Sequence, residues 1–156
     1  MTIVVCAVRP DSRGMIMARS ADPFEAPAIR PNYISAASDE QVLLSGTRHA
    51  RRIFAAAPLA RHSAAETMPG SEMDSDDALI DFMHRAGMNL HHPVGTCRMG
   101  EDPMAVVDSR LRVHGVAALR VVDASVMPTV TTGNTNAPTI MIGEKGAAMI
   151  REDAAA

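Results

Sequence analysis

The sequence has no Trp, one Tyr and three Phe among 156 residues, so it offers little for an aromatic cage around a quaternary ammonium. Two cysteines, Cys6 and Cys97, are too few for a disulfide scaffold, and with twelve Met they point to a reducing, cytoplasmic setting. Fifteen basic against eighteen acidic residues give a net charge of -3. No long basic run is present to neutralise phosphates, which argues against nucleic acid as a partner. No apolar run approaches a membrane span, and the start of the chain lacks the basic region of a signal peptide. What is there is an ordinary globular composition, 47% hydrophobic and 21% charged, enough to fold as one domain.

Residues 3–8, IVVCAV, form a β-branched run closed by the turn formers Arg9-Pro10-Asp11-Ser12-Arg13-Gly14. A second apolar run over 15–18 completes an expected β-hairpin. Pro23, Pro27 and Pro31 make residues 21–32 an extended, irregular connection. Val42, Leu43, Ala50, Ile53 and Phe54 recur near helical spacing behind a cap at Ser38-Asp39, which predicts a helix over 39–56 stopped by Pro58. Residues 61–74 read as a surface loop. Ser75-Asp76-Asp77 caps a three-turn helix that ends at Gly87. Short strand-like pieces follow at 106–108, 111–113 and 119–122, and a last helix is expected over 138–151.

Two stretches are denser in chemistry than the rest. HHPVGTCRMG, residues 91–100, packs Pro, two Gly and several polar side chains into a loop. VVDASVMPTVTTGNTNAPTIMI, residues 121–142, runs from a strand through a polar loop into the last helix. A loop that leads into a helix presents free N–H groups, suited to an anion or to the accepting edge of a ring.

With DPMAVVDSRLRVHGVAALRVVDAS between them, these stretches resemble the carboxy-terminal part of the glucose-methanol-choline (GMC) family of flavin-dependent oxidoreductases. Arg13-Gly14, Asp22-Pro23, Pro31-Asn32-Tyr33 and the helix around Arg48 extend the resemblance over nearly the whole chain. It implies an α+β fold: part of an antiparallel substrate-domain sheet backed by helices, then a C-terminal strand, loop and helix that dock on an FAD-binding domain. On this pattern residues 1–156 are one GMC C-terminal domain, with a substrate-domain part over about 1–90 and an active-site, flavin-contacting part over about 91–151.

The resemblance implies an FAD-dependent alcohol dehydrogenase or oxidase. A hydride passes from an alcohol carbon to flavin N5, and an aldehyde or ketone remains. An imidazole suits removal of the hydroxyl proton, and the family pattern assigns that role to His92. A hydrogen-bond donor for the developing alkoxide falls on Asn134. Asp123 and Ala124 are implied beside the FAD pyrophosphate and ribityl chain, and Thr135 and Asn136 at the flavin ring edge.

Without the family, His92 reads as a structural loop histidine and Asn134 as a turn or cap residue. Adjacent His91 and His92 in an extended segment point to opposite sides with no third ligand near, so no metal site is expected. Cys97 reads as a small buried thiol, although Arg98 beside it could activate it. The sequence has no GxGxxG, the loop that cradles a dinucleotide pyrophosphate. The expected partners are therefore an alcohol substrate and a separate N-terminal FAD-binding (Rossmann) half. The alternative is a non-catalytic remnant or interaction module that self-associates through apolar surface.

Overall fold

The computed structural model describes residues 1–155. The chain forms two compact units, Met1–Leu90 and His91–Ala156. In the first unit, β1 (Met15–Met17) and β2 (Ala28–Arg30) precede α1 (Ala37–Ala55), α2 (Ala57–Ala60) and α3 (Asp76–Ala86). In the second, a 3-10 turn (Ala124–Val126) precedes α4 (Asn136–Ala154). A small antiparallel sheet accompanied by helices makes the fold α+β.

α1 forms over a run without proline, with Asp39 and Glu40 in its first turn and Arg52 in its last, each sign matched to the helix dipole. α3 has the same polarity, Asp76 and Asp77 against His84 and Arg85, and Ser75 caps it by accepting the Ala78 N–H at 3.2 Å. Leu44 of α1 and Leu79 and Met83 of α3 form the buried core of this unit, flanked by Ile34, Leu43, Met73 and Ile80. α2 is a single turn with Pro58 near its start, where the missing N–H is not needed.

Two sequence expectations need correction here. Residues 3–8 are irregular, and the strand at Met15–Met17 pairs with Ala28–Arg30 in the register Met15↔Arg30, Ile16↔Ile29 and Met17↔Ala28. Pro27 and Pro31 flank that second strand without entering it, so its three N–H groups are intact. Val5 of the β-branched run lies against α1 instead, over Gly46, where an added Cβ would collide with it. Ser38, expected to cap α1, is inside its first turn, and its hydroxyl bonds Asp11 Oδ2 at 2.6 Å.

Two ionic side chains hold the irregular segments of this unit. The Asp39 carboxylate, 4% exposed, accepts the Asp11 and Ser12 N–H groups at 2.8 and 2.9 Å and the Ser12 hydroxyl. Ser12 Oγ in turn accepts the N–H groups of Ser35 and Ala36. Arg51 pairs with Glu66, reaches Asp74, and donates to the Gly70 and Met73 carbonyls at 3.1 and 2.9 Å. These bonds fix the loop over 61–74.

In the second unit Val107, Leu111, Val126, Met127 and Ile142 form the core. The strand-like pieces shrink to isolated bridges: Met99↔Val107, Val107↔Val113 and Arg112↔Arg120. Turns at 109–110 and 114–115 interrupt the pairing before strands lengthen. The strand expected to enter the C-terminal loop is likewise only the bridge at Arg120, and residues 121–123 are irregular. α4 begins two residues before and ends three residues after the expected limits of 138 and 151. Arg110 and Arg120 both bind Asp153, and Arg110 also binds Glu152 at 3.1 Å, which ties the end of α4 to the bridge region.

Candidate active site

Residues 91–100 are held along the 3-10 turn by two backbone bonds, Cys97 N–H to Ser125 O at 3.1 Å and Met99 N–H to Val126 O at 2.8 Å. On the other side, Val106 N–H donates to Arg98 O at 2.9 Å and Gly100 N–H to Val107 O at 3.0 Å. The loop is thus an inner strip of the unit, and Val107 beneath it is fully buried. Gly95 has φ +88°, a conformation costly for any other residue, and it lies against the Met127 and Pro128 carbonyls. His91 also has positive φ, +62°, so the segment is not extended at the histidine pair. His114 Nε2 lies 3.0 Å from the Gly100 carbonyl, a structural role at the end of the loop.

His92 is half-buried, and its Nδ1 lies 2.9 Å from Thr135 Oγ1 across 43 residues of sequence. Thr135 is the N-cap of α4 and is buried, while Asn134 and Asn136 on either side of it are exposed. Thr135 makes no side-chain capping bond, and the first bond of the helix is Thr139 N–H to Thr135 O at 3.0 Å. The Asn136 and Ala137 amides lie ahead of that bond at the positive end of the helix dipole. Pro138, third in the helix, brings no N–H to the same turn.

Asp123 caps the 3-10 turn, and its Oδ1 accepts the Ser125 N–H at 2.7 Å and the Ser125 hydroxyl at 2.5 Å. The residue is exposed and Ala124 half-buried. Cys97 is half-buried, and Arg98 beside it is engaged by Asp102, with Nη2 at 2.5 Å from Oδ1 and Nη1 at 2.7 Å from Oδ2. The hydrogen bonds from Arg98, with the Met104 N–H and the guanidinium charge, outweigh burial and pull the Asp102 carboxyl down to about 2. The same bonds raise the Arg98 pKa.

The arrangement puts an imidazole with one nitrogen anchored beside a helix start that carries free amides and two exposed Asn side chains. It can accept a proton from a hydroxyl and donate hydrogen bonds to an oxygen that gains charge. Sequence reasoning grouped His92, Asn134 and Thr135 in one site but missed the direct contact between His92 and Thr135. Nothing in local spacing signals a bond between residues so far apart. It also missed the Arg98–Asp102 pair, which the i,i+4 spacing of opposite charges makes visible.

A family model described as GMC oxidoreductase matches residues 10–143. An alcohol dehydrogenase [acceptor] of Pseudomonas putida is 46% identical over 149 residues, a match covering 96% of this chain and 27% of the relative. An oxygen-dependent choline dehydrogenase of Pseudomonas savastanoi pv. phaseolicola is 47% identical over 147 residues, covering 94% of this chain and 26% of the relative. Among solved structures, an FAD-dependent oxidoreductase from Chaetomium thermophilum superposes with a TM-score of 0.85 at 30% identity, over 94% of this chain and 26% of its own. The chain therefore spans about a quarter of the length of the curated relatives it matches.

Proposed function

The chain belongs to the GMC oxidoreductase family as its C-terminal domain, and from that premise we propose that it forms the proton-accepting wall of an FAD-dependent alcohol oxidoreductase. The observation that carries the reading is His92, anchored at Nδ1 and set beside the uncapped start of α4.

The donor set there suits a flavin ring. The Asn136 and Ala137 amides, with the Asn136 side chain, would face its hydrogen-bond-accepting edge, and the helix dipole favours negative charge at that point. Thr135 and Ala124 would pack near the same cofactor, and Asp123, an acid, suits a ribityl hydroxyl better than a phosphate. When bound, FAD would supply the two-electron acceptor for the hydride that leaves the carbinol carbon.

His92 receives the hydroxyl proton of the alcohol at Nε2, the nitrogen turned away from Thr135. The Asn134 amide donates to the same oxygen as it becomes a carbonyl. Proton and hydride together account for the two hydrogens lost, and an aldehyde or ketone remains.

The test pairs this chain with the amino-terminal part of the Pseudomonas putida relative and follows anaerobic bleaching of the flavin by a primary alcohol. Replacing His92 by Ala should slow bleaching by about 10²–10⁴-fold. An unchanged rate removes the assignment. The chain alone should purify colourless, because no glycine-rich loop is present for the pyrophosphate and each 1.4 kcal/mol of lost contact weakens binding about tenfold. Flavin that survives gel filtration would overturn this division of labour.

One observation favours the second reading, a self-associating module without catalysis. Met15, Ile16, Met17 and Ile29 on the two short strands are all exposed, and Phe24 between them is 94% exposed. Sedimentation of the purified chain separates the two, since a clean monomer removes the self-association.

A further inference from the structure

We propose that Thr135 is a positioning residue that sets the tautomer of His92, holding the proton on Nδ1 and leaving the Nε2 lone pair to accept. The inference rests on the reading of His92 as the base and adds the group that prepares it.

A Thr at a helix N-cap ordinarily has β-region dihedrals and turns its hydroxyl to the amide two or three residues on, a bond whose loss costs about 1 kcal/mol. Thr135 does neither. Its φ and ψ are -82° and -4°, and no side-chain bond caps α4. The hydroxyl is turned to His92 Nδ1 at 2.9 Å. The residue is also pinned from behind, because its carbonyl accepts both the N–H and the hydroxyl of Thr139 at 3.0 and 2.6 Å. At 7% exposure there is little room for water to replace it at the imidazole.

A hydroxyl beside a ring nitrogen either donates or accepts, and the tautomer follows. Nδ1 is the nitrogen committed to the protein, so a substrate hydroxyl can meet only Nε2. For Nε2 to accept, the ring proton must sit on Nδ1 and be donated to Thr135 Oγ1. Neutral histidine in water favours the opposite tautomer. Thr135 Oγ1, as the acceptor of the Nδ1 proton, offsets that preference, and the same bond persists once Nε2 has taken its proton.

The test is long-range ¹H–¹⁵N NMR of the full chain with ¹⁵N-labelled histidine, read where the imidazole is neutral and assigned by loss of the signal in His92→Asn. The wild type should show the Nδ1–H form, Thr135→Ser should keep it, and Thr135→Val should return the ring to the Nε2–H form. Wild-type His92 as Nε2–H overturns the inference even if the Val variant does not fold, and so does a folded Val variant with an unchanged tautomer. In the paired enzyme, Thr135→Val should lower kcat about tenfold with KM little changed, and Thr135→Ser should restore it. A full rate in His92→Ala would end the catalytic reading while leaving the tautomer result standing, so the two failures are distinguishable.

Discussion

Residues 1–90 and residues 91–155 solve the same problem, holding long irregular segments in place, by different means. The first unit buries three hydrophobic side chains and leaves its two strands exposed, while ionic side chains, Asp39 and Arg51, fasten the segments at 11–12 and 61–74. The second buries five and knits the loop at 91–100 with backbone bonds, among them Cys97 to Ser125, Met99 to Val126 and Gly100 to Val107, while its Arg110 and Arg120 ion pairs hold the end of α4. The contrast bears on function. A half-buried imidazole needs a frame that does not shift with protonation, and packing with backbone bonds supplies one. The first unit leans instead on Asp39, the one buried carboxylate among the described residues, and should respond to acid through it.

The comparison breaks first if the small core of residues 1–90 carries nothing. Leu79 of α3 is fully buried in a cluster with Leu44 of α1, so Leu79→Ala should cost about 2–5 kcal/mol of unfolding free energy in urea. A loss below the lower end would mean that the polar clamps alone hold the unit. In residues 91–155 the matching probe is Gly146, where α4 passes so close to the chain that an added Cβ meets the Val122 side chain, with Leu111 Cδ1 at 3.4 Å. Gly146→Ala should cost about 1–3 kcal/mol by overpacking, despite the better helix propensity of Ala. A stabilised variant would show that α4 can lift away without penalty.

The clamps should show themselves through pH. Burial raises the pKa of Asp39, but the Ser12 hydroxyl, the Asp11 and Ser12 amides and the charge of Arg13 outweigh it and hold the carboxyl below its usual value. A folded-state pKa below the unfolded one adds stability above the ordinary carboxylate range, and that stability is lost as pH falls through the folded value. Asp39→Asn should cost about 1–2 kcal/mol at neutral pH and flatten the acid limb of stability against pH. An unaltered acid limb would assign it to other carboxylates.

These probes also mark where the sequence was readable. α1, α3 and α4 follow from apolar spacing, and Ser75 and Gly87 bound α3 as expected because capping is a local affair. Strand partners are chosen by the tertiary fold, so the β-branched run at 3–8 has the pattern of a strand yet is irregular, while the strand Ala28–Arg30 lies between two prolines that mask it. The Asp39 clamp is illegible for the same reason: a Ser-Asp pair at a helix start looks like a cap, and nothing nearby tells that its carboxylate reaches back to residues 11 and 12. His92 and Asn134 stand out as a site through their motifs. The Thr135 contact is a product of folding.

The smallest effect expected is at Arg98 and Asp102, an ion pair in the loop that carries His92. Asp102, held at about 2 mainly by its hydrogen bonds to Arg98, contributes in full above the ordinary carboxylate range, and that contribution fades as pH falls from about 4 to about 2. The pair lies at the surface, where salt screens it and side-chain ordering offsets its attraction. Asp102→Asn should therefore leave the urea midpoint at neutral pH almost unmoved, with any residual difference vanishing in 1 M salt. The backbone bonds on either side, Met99 to Val126 and Gly100 to Val107, keep the loop registered without the charge. A loss as large as that of Gly146→Ala, or a His92 NMR signal displaced in Asp102→Asn, would show that the loop at 91–100 is clamped by charge as the segments at 11–12 and 61–74 are, and the distinction would fail.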